Sequence, residues 1–330
     1  MVNLHDDMNV KFAAVLVHES QRVGGVGYTR VSAKRYVAAE HCREPWQVDL
    51  GARHHPRGVE YAAPAAARAV AHAVERPGSV VGGFSALALY GLPYLVEGAD
   101  TLLFSPTAPR STQGGELTPT VRRPSRAVSS TWTLTHRGVP FKAAAPADAV
   151  VQALQQVRRG EHGWGTVKVA GWAARDVMAL QLIDCARRFL DVPAPDVLGA
   201  ARGKVDAKWL RPLLASSSAL ADSPKETEMR LLVTALAHRY GYTVREQLPL
   251  IVDGEIVTVF DLAIPELHIA IMYDGEHHWE WKQRNKDSSI NLKIASAGWT
   301  PARCSSTTMF ECLAFIEEVM QSVQPSGPRD

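Results

Sequence analysis

The chain has 330 residues, 46% hydrophobic and 21% charged, with a net charge of +2. That length exceeds most single cores and predicts two or three domains of an ordinary soluble globular protein. No apolar run approaches the roughly 20 residues of a spanning helix, and the acidic opening Met1-Val2-Asn3-Leu4-His5-Asp6-Asp7 is unlike a basic secretory leader, so no membrane partner and a cytoplasmic address are expected.

Residues 9–22 and 30–42 read as two short helices parted by Gly24-Gly25 and Gly27, the first with Val10, Phe12, Ala13, Val15, Leu16 and Val17 on its apolar face. The second carries Arg30, Lys34 and Arg35 and precedes the basic stretch Arg53-His54-His55-Pro56-Arg57. Helix, basic helix and basic hairpin in this order predict a winged helix-turn-helix over residues 1–62, with a plain helical subdomain as the alternative. Helices at 64–77 and 85–92, strands at 101–104, 119–123 and 131–135, and helices at 146–159, 166–174, 176–189, 194–201 and 206–214 make 63–215 a mixed α+β domain. The Pro/Ser/Thr/Gly-rich segment 105–118 reads as an exposed loop, and residues 216–224 as a linker.

From Lys225 onward Met229, Leu232, Val233, Leu236 and Tyr240 recur at helical spacing, giving a helix over 225–239 that ends at Gly241. Strands follow at 244–252, 256–263 and 267–274, then a helix near 287–297, a strand near 300–304 and a helix over 307–322. The fold class expected is therefore α/β (α+β overall), closing with an α-β-β-β-α-β-α domain over 224–330.

The small net charge conceals an asymmetry. Residues 1–221 hold 26 Lys+Arg against 18 Asp+Glu, whereas residues 222–330 hold 10 against 16. A basic part followed by an acidic one fits a DNA-docking module joined to a metal-binding one, although drift among solvated faces gives the same numbers. Cys42, Cys185, Cys304 and Cys312 show no CxxC pairing, so reduced thiols are expected, with neither a zinc site nor a disulfide framework.

Strand alternation places Val257, Val259 and Asp261 on one face of the middle strand, and His268, Ala270, Met272 and Asp274 on one face of the next. Glu226 lies three and seven residues before Met229 and Val233 and shares their inward face. Three converging carboxylates, Glu226, Asp261 and Asp274, would hold Mg²⁺ or Mn²⁺ through oxygen, and His277 or His278 would supply a base or acid for phosphodiester hydrolysis. Each has a structural alternative. Asp274-Gly275 reads equally as a strand-end turn, Glu226 as a first-turn carboxylate favoured by the helix dipole, and the histidines as loop residues. Asp261, an acid within an apolar strand, is costly without a partner. Lys282, Arg284 and Lys286, interleaved with Trp279 and Trp281, suit phosphate contact and base stacking, or a solvated loop.

The segments Glu226-Thr227-Glu228-Met229-Arg230, Val259-Phe260-Asp261-Leu262-Ala263-Ile264-Pro265-Glu266, Ile269 to His278 and Ala297-Gly298-Trp299 resemble the PD-(D/E)XK restriction-endonuclease-like fold, in the branch related to very-short-patch-repair endonucleases. The resemblance covers residues 224–310. It implies a Mg²⁺-dependent DNA endonuclease or nickase of defence or repair, with Glu226, Asp261 and Asp274 at acidic positions and His278 as the histidine after the Asp-Gly turn. Two departures stand out. The family's Glu-x-Asp-Gly reads Met272-Tyr273-Asp274-Gly275, and a thioether is a poor Mg²⁺ ligand. Pro301 interrupts the strand after Gly298-Trp299, where a central strand would not tolerate it.

In the N-terminal half, Arg57-Gly58-Val59-Glu60-Tyr61, residues 85–92 and residues 145–154 resemble AbiE-type antitoxin and regulator proteins. That resemblance implies DNA binding through a small winged helix, with Arg30, Lys34, Arg35, Arg53 and Arg57 on phosphates. Three functions stay open: the endonuclease, a non-catalytic DNA-binding regulator that keeps a degenerate nuclease fold as a scaffold, and a purely structural partner-binding protein.

Overall fold

The computed structural model describes residues 4–11, 13, 15–108, 111–123, 130–274 and 290–323. The chain is a mixed α/β protein that divides into two units, residues 1–166 with 173–219, and residues 167–172 with 220–330. Residues 1–62 and 63–215, apart from 167–172, therefore share one unit. Among the described residues no helix is long and apolar enough to cross a membrane.

The first unit opens with three short strands, β1 (Leu16–His18), β2 (Tyr28–Arg30) and β3 (Arg35–Ala38), in the order β1-β3-β2. The helices expected over 9–22 and 30–42 are thus not formed, and the winged helix-turn-helix order that rested on them is not seen. Tyr28, Thr29, Val31, Tyr36 and Val37 are β-branched and aromatic residues that favour a pleated surface. Leu16 and Val37 are paired and buried. The turn is fixed by Arg30, whose guanidinium donates to the carbonyls of Ser32 and Ala33.

Helix α1 (Pro45–His54) follows, started by Pro45 and by a reciprocal cap between Glu44 and Gln47. A second sheet has the order β6-β5-β4-β8-β7, built from β4 (Val80–Gly82), β5 (Leu102–Phe104), β6 (Thr120–Arg122), β7 (Thr131–His136) and β8 (Val139–Ala144). Helices α2 (Ala65–Glu75), α3 (Gly83–Leu89) and α4 (Pro146–Arg158) pack on it, and α5 (Ala174–Leu190), α6 (Ala194–Ala200) and α7 (Ala207–Ser216) extend the helical layer. The helix expected at 166–174 is instead an irregular strap, because the Val167 N–H donates to the Glu228 carboxylate at 3.2 Å and Gly171 takes a left-handed φ of +79°.

The second unit runs α8 (Pro224–Tyr240), β9 (Arg245–Val252), β10 (Glu255–Ile264), β11 (Ile269–Tyr273), α9 (residues 290–296), β12 (Thr300–Cys304) and α10 (Met309–Val323). Its sheet has the order β12-β11-β10-β9, antiparallel except that β12 lies parallel to β11. One apolar layer joins Met229, Val233, Leu262, Ile271, Ala302 and Ile316, which puts α8 and α10 on one face. The other joins Phe260, Ala270, Met272, Leu250 and Ile294, which puts α9 on the opposite face.

Pro301 is accommodated because β12 is an edge strand. The Thr300 N–H donates to the His268 carbonyl and the Asp274 N–H to the Cys304 carbonyl, so even-numbered residues bond to β11 and the missing N–H of Pro301 falls on the outer side. Cys304 and Cys312 are disulfide-bonded, with Cα atoms 5.9 Å apart, which corrects the expectation of reduced thiols for this pair. The residues are eight apart in sequence; the turn from β12 into α10 closes them, a proximity that no CxxC spacing announces. Closing so short a loop restricts the unfolded chain by about 2–3 kcal/mol. Reducing this bond is expected to lower the melting temperature of the second unit, and an unchanged melt after thiol titration confirms two new thiols would contradict it.

Candidate active site

In β11, residues 270 and 272 direct their backbone groups to β12, which leaves 269, 271 and 273 facing β10. The pairing of β10 with β11 ends at Leu262 and Ile271, and the Tyr273 N–H instead donates to Oδ2 of Asp261 at 2.6 Å. A carboxylate has taken the place of a ladder carbonyl. The two-residue alternation also breaks here, since Phe260 packs in the α9-side layer and Leu262 in the α8-side layer. Asp261 sits at that break and lines the α8 side.

The same spot receives Glu226 from the first turn of α8. Ser223 caps the helix by accepting from the Glu226 N–H, its hydroxyl donates to Oε1 of Glu226 at 3.1 Å, and the Asp222 N–H donates to Oε2 at 2.8 Å. Ser223-Pro224-Lys225-Glu226 is therefore a helix start in which Glu226 has a structural task. Glu226 and Asp261 nonetheless border one small cavity of about 10 Å³, room for a single water-sized particle, with Glu246, Gln247 and Arg230 around it.

Burial raises both carboxyls. Glu226 is pushed up to about 7, mainly by desolvation and further by the charges of Asp261 and Asp222. Asp261 is pushed up to about 6 by desolvation, with Asp222 and Asp274 adding repulsion against the bond from Tyr273. The folded unit consequently holds protons here that the unfolded chain releases near the ordinary values of 4.5 and 3.8. The sign follows: stability contributed at this site is greatest below about pH 4 and declines as pH rises through about 6 to 7. At about 1.4 kcal/mol per pH unit, each group costs on the order of 3 kcal/mol once ionised. Glu226→Gln keeps the cap but removes the charge, so it is expected to raise the melting temperature at pH 8 and leave it nearly unchanged at pH 4. Equal effects at the two pH values would contradict this account.

The remaining expected ligands are placed differently. Asp274 is exposed at the end of β11, its carboxylate held by Arg303 at 2.8 Å, while the Arg303 Nε donates to Asn291 of α9. Met272 is buried in the apolar layer with Phe260, Ala270 and Ile294. It is a core residue, which corrects the expectation that it stands at a ligand position. Among the described residues no group of three His, Cys, Asp or Glu side chains is placed to hold a metal ion, so the expected triad of Glu226, Asp261 and Asp274 reduces to a pair. His277, His278, Lys282, Arg284 and Lys286, with Trp279 and Trp281, lie outside the described residues.

The sequence reading missed two contributors. Asp222 acts electrostatically on both carboxyls, and its place four residues before Glu226 in a polar linker gave it no periodicity to be noticed by. Glu228 is fully buried, pairs with Lys225 one turn back on α8 and anchors the strap through the Val167 N–H; helical spacing from Leu231 would have placed it inward.

Of the expected DNA contacts in the first unit, Arg30, Lys34 and Arg35 gather at the β2–β3 turn. Arg53 pairs with Asp49 one helical turn away on α1. Arg57 is committed elsewhere: it pairs with Asp100 and donates to the Gly114 carbonyl. Asp100 also takes His55 at 2.9 Å, the Tyr61 hydroxyl at 2.6 Å and the Thr120 hydroxyl at 3.1 Å, and against its burial the bonds from His55 and Tyr61 and the charge of Arg57 hold its carboxyl far below the usual range. The Arg57–Tyr61 segment is thus pinned to the strands it precedes and is not an open basic wing. No family model, no curated protein and no solved structure matches the chain.

Proposed function

We propose that the second unit is a restriction-endonuclease-like module that hydrolyses DNA phosphodiesters with Mg²⁺ or Mn²⁺. The observation that carries this reading is the meeting of two half-buried carboxylates, Glu226 and Asp261, at a water-sized cavity where the β10–β11 ladder opens. The charged groups acting most strongly on the pair are carboxylates, so a divalent cation would relieve their repulsion. Mg²⁺ is often held by only one or two carboxylates with water completing its octahedron, and the hard oxygens here fit that requirement. The arrangement α-β-β-β-α-β-α, with one acid on the first helix and another on the second strand, further supports it.

When bound, the ion would supply an activated water and charge stabilisation at the attacked phosphate. Asp261 would orient that ion, because the Tyr273 N–H and the Gln247 side chain hold its carboxylate at the border of the cavity. Glu226, protonated near neutrality when alone, would give up its proton on binding. Cation affinity is therefore expected to rise with pH between about 6 and 8.

A second reading is favoured by two observations. Met272 fills the core and Arg303 neutralises Asp274, as suits a DNA-binding, antitoxin-like regulator that retains the fold without cleavage. Incubation of supercoiled and linear DNA with Mg²⁺ or Mn²⁺, wild type beside Asp261→Ala, separates the two. Nicking by wild type alone supports the nuclease, and a gel shift without nicking by either protein supports the regulator.

A further inference from the structure

Two adjoining cavities in the first unit, about 350 and 260 Å³, share Ser111 and Arg122 as a common wall beside the β6 edge of the sheet. Arg57 lines the larger, Arg123 and Lys204 line the smaller with Arg159, and Arg122 faces both. Among the residues that line the two cavities, these five cations stand against two acids, Asp100 and Glu161, and Asp148 adds a carboxylate at Lys204. The groove therefore keeps a positive excess, in a region of the chain that is itself basic.

The donors are also held in place. Arg122 is 2.8 Å from Glu161, and the Arg123 Nε donates to the Ala108 carbonyl at 2.8 Å. The amides of Gln152 and Gln156 line the floor, fixed because their Oε1 atoms accept from the N–H groups of Gly83 and Phe84. Both glycines before Phe84 are required, since a Cβ at Gly82 would lie 2.4 Å from the Phe104 ring and one at Gly83 would lie 2.1 Å from the Gln156 amide oxygen. Planar guanidinium forks beside fixed amides and the hydroxyls of Ser111 and Thr112 match the tetrahedral oxygens of phosphate.

We infer that this groove binds the phosphate groups of a nucleotide or of single-stranded nucleic acid. The groove shares no lining residue with the β2–β3 turn or with the carboxylate pair, and it rests on neither metal nor cleavage. Binding is measured on the full chain in EDTA by fluorescence anisotropy with a labelled oligonucleotide of about 12 nucleotides, and by calorimetry with ATP and with pyrophosphate.

Arg123→Glu/Arg159→Glu changes two solvent-facing arginines and is expected to weaken binding at least about 10-fold and to flatten its salt dependence by roughly one contact or more. Arg30→Glu/Arg35→Glu serves as the comparison and is expected to change it less than about 2-fold. Oligonucleotide binding lost only in the groove variant assigns the strand as ligand, and loss of ATP and pyrophosphate binding assigns the nucleotide. The inference is overturned if no probe binds below about 1 mM, if the groove variant binds as wild type with its melt unchanged, or if the turn variant alone loses binding.

Discussion

Asp261→Ala is expected to abolish divalent-cation-dependent nicking of supercoiled DNA, a fall of about 10³-fold or more, because metal-derived charge stabilisation is worth several kcal/mol in such a transition state. The same substitution removes the carboxylate that replaces a ladder acceptor for Tyr273, so its effect on folding has to be separated from its effect on chemistry. Asp261→Asn makes that separation. The amide oxygen still accepts from Tyr273, the charge is gone, and the protein is expected to melt higher than wild type at pH 8 while remaining inactive. A site in which removing an acid stabilises the fold and destroys activity is one where electrostatic strain is retained for binding. Full activity in Asp261→Asn would remove Asp261 from the mechanism.

The second large effect lies in the first unit and concerns stability alone. Arg68 is almost wholly buried in α2, and its guanidinium donates to the backbone carbonyls of Ala63, Ala99 and Glu97 at 3.1, 2.8 and 2.6 Å. It also stacks over the Tyr61 ring at 3.9 Å, and the Glu97 carboxylate accepts from the Ala65 N–H. Burial lowers its basicity while Glu97 and the nearby acids oppose that loss. This one side chain therefore ties the start of α2 to the loop before β5. Arg68→Ala would leave three buried carbonyls without their donor and create a cavity, a cost of about 3–5 kcal/mol. For a unit of this size that corresponds to a fall of roughly 10 °C in melting temperature, read by calorimetry. A shift below about 2 °C would show that water replaces the guanidinium freely.

The two halves of the sequence differed in how openly they declared themselves. In the second unit, apolar residues at helical spacing along α8 and β-rich segments between short turns made the order of elements legible, and the structure reproduces it from α8 to α10. Alternation along β10 is broken at the register shift between Ile256 and Thr258 and again where Asp261 inserts its carboxylate into the ladder. The second break is a side-chain hydrogen bond, which no periodicity encodes, and it is why Met272 was assigned a ligand position when it fills the core. Pro301 misled for a related reason: edge or centre is a property of the whole sheet, and the strand alone does not reveal it.

In the first unit, local pattern and tertiary pairing disagreed. Residues 9–22 carry apolar side chains compatible with either period, and pairing of Leu16 with Val37 decides for strand. The strands β4 and β8 were missed because each merges in sequence with a helix start, Gly82-Gly83 and Ala145-Pro146, and apolar runs of that kind do not mark the boundary. Arg57 and Tyr61 were noticed as a motif, but their common partner Asp100 lies some forty residues away. The disulfide between Cys304 and Cys312 likewise depends on a turn that spacing alone did not suggest.

The most direct test of the carboxylate pair is a calorimetric titration with Mn²⁺ at pH 6, 7 and 8 in buffers of different ionisation enthalpy. One ion per chain, affinity rising with pH, proton release on binding, and loss of binding in Glu226→Gln/Asp261→Asn are the predicted results. Absence of binding at millimolar Mn²⁺ at every pH, or undiminished binding by the double variant, would contradict a metal site at Glu226 and Asp261.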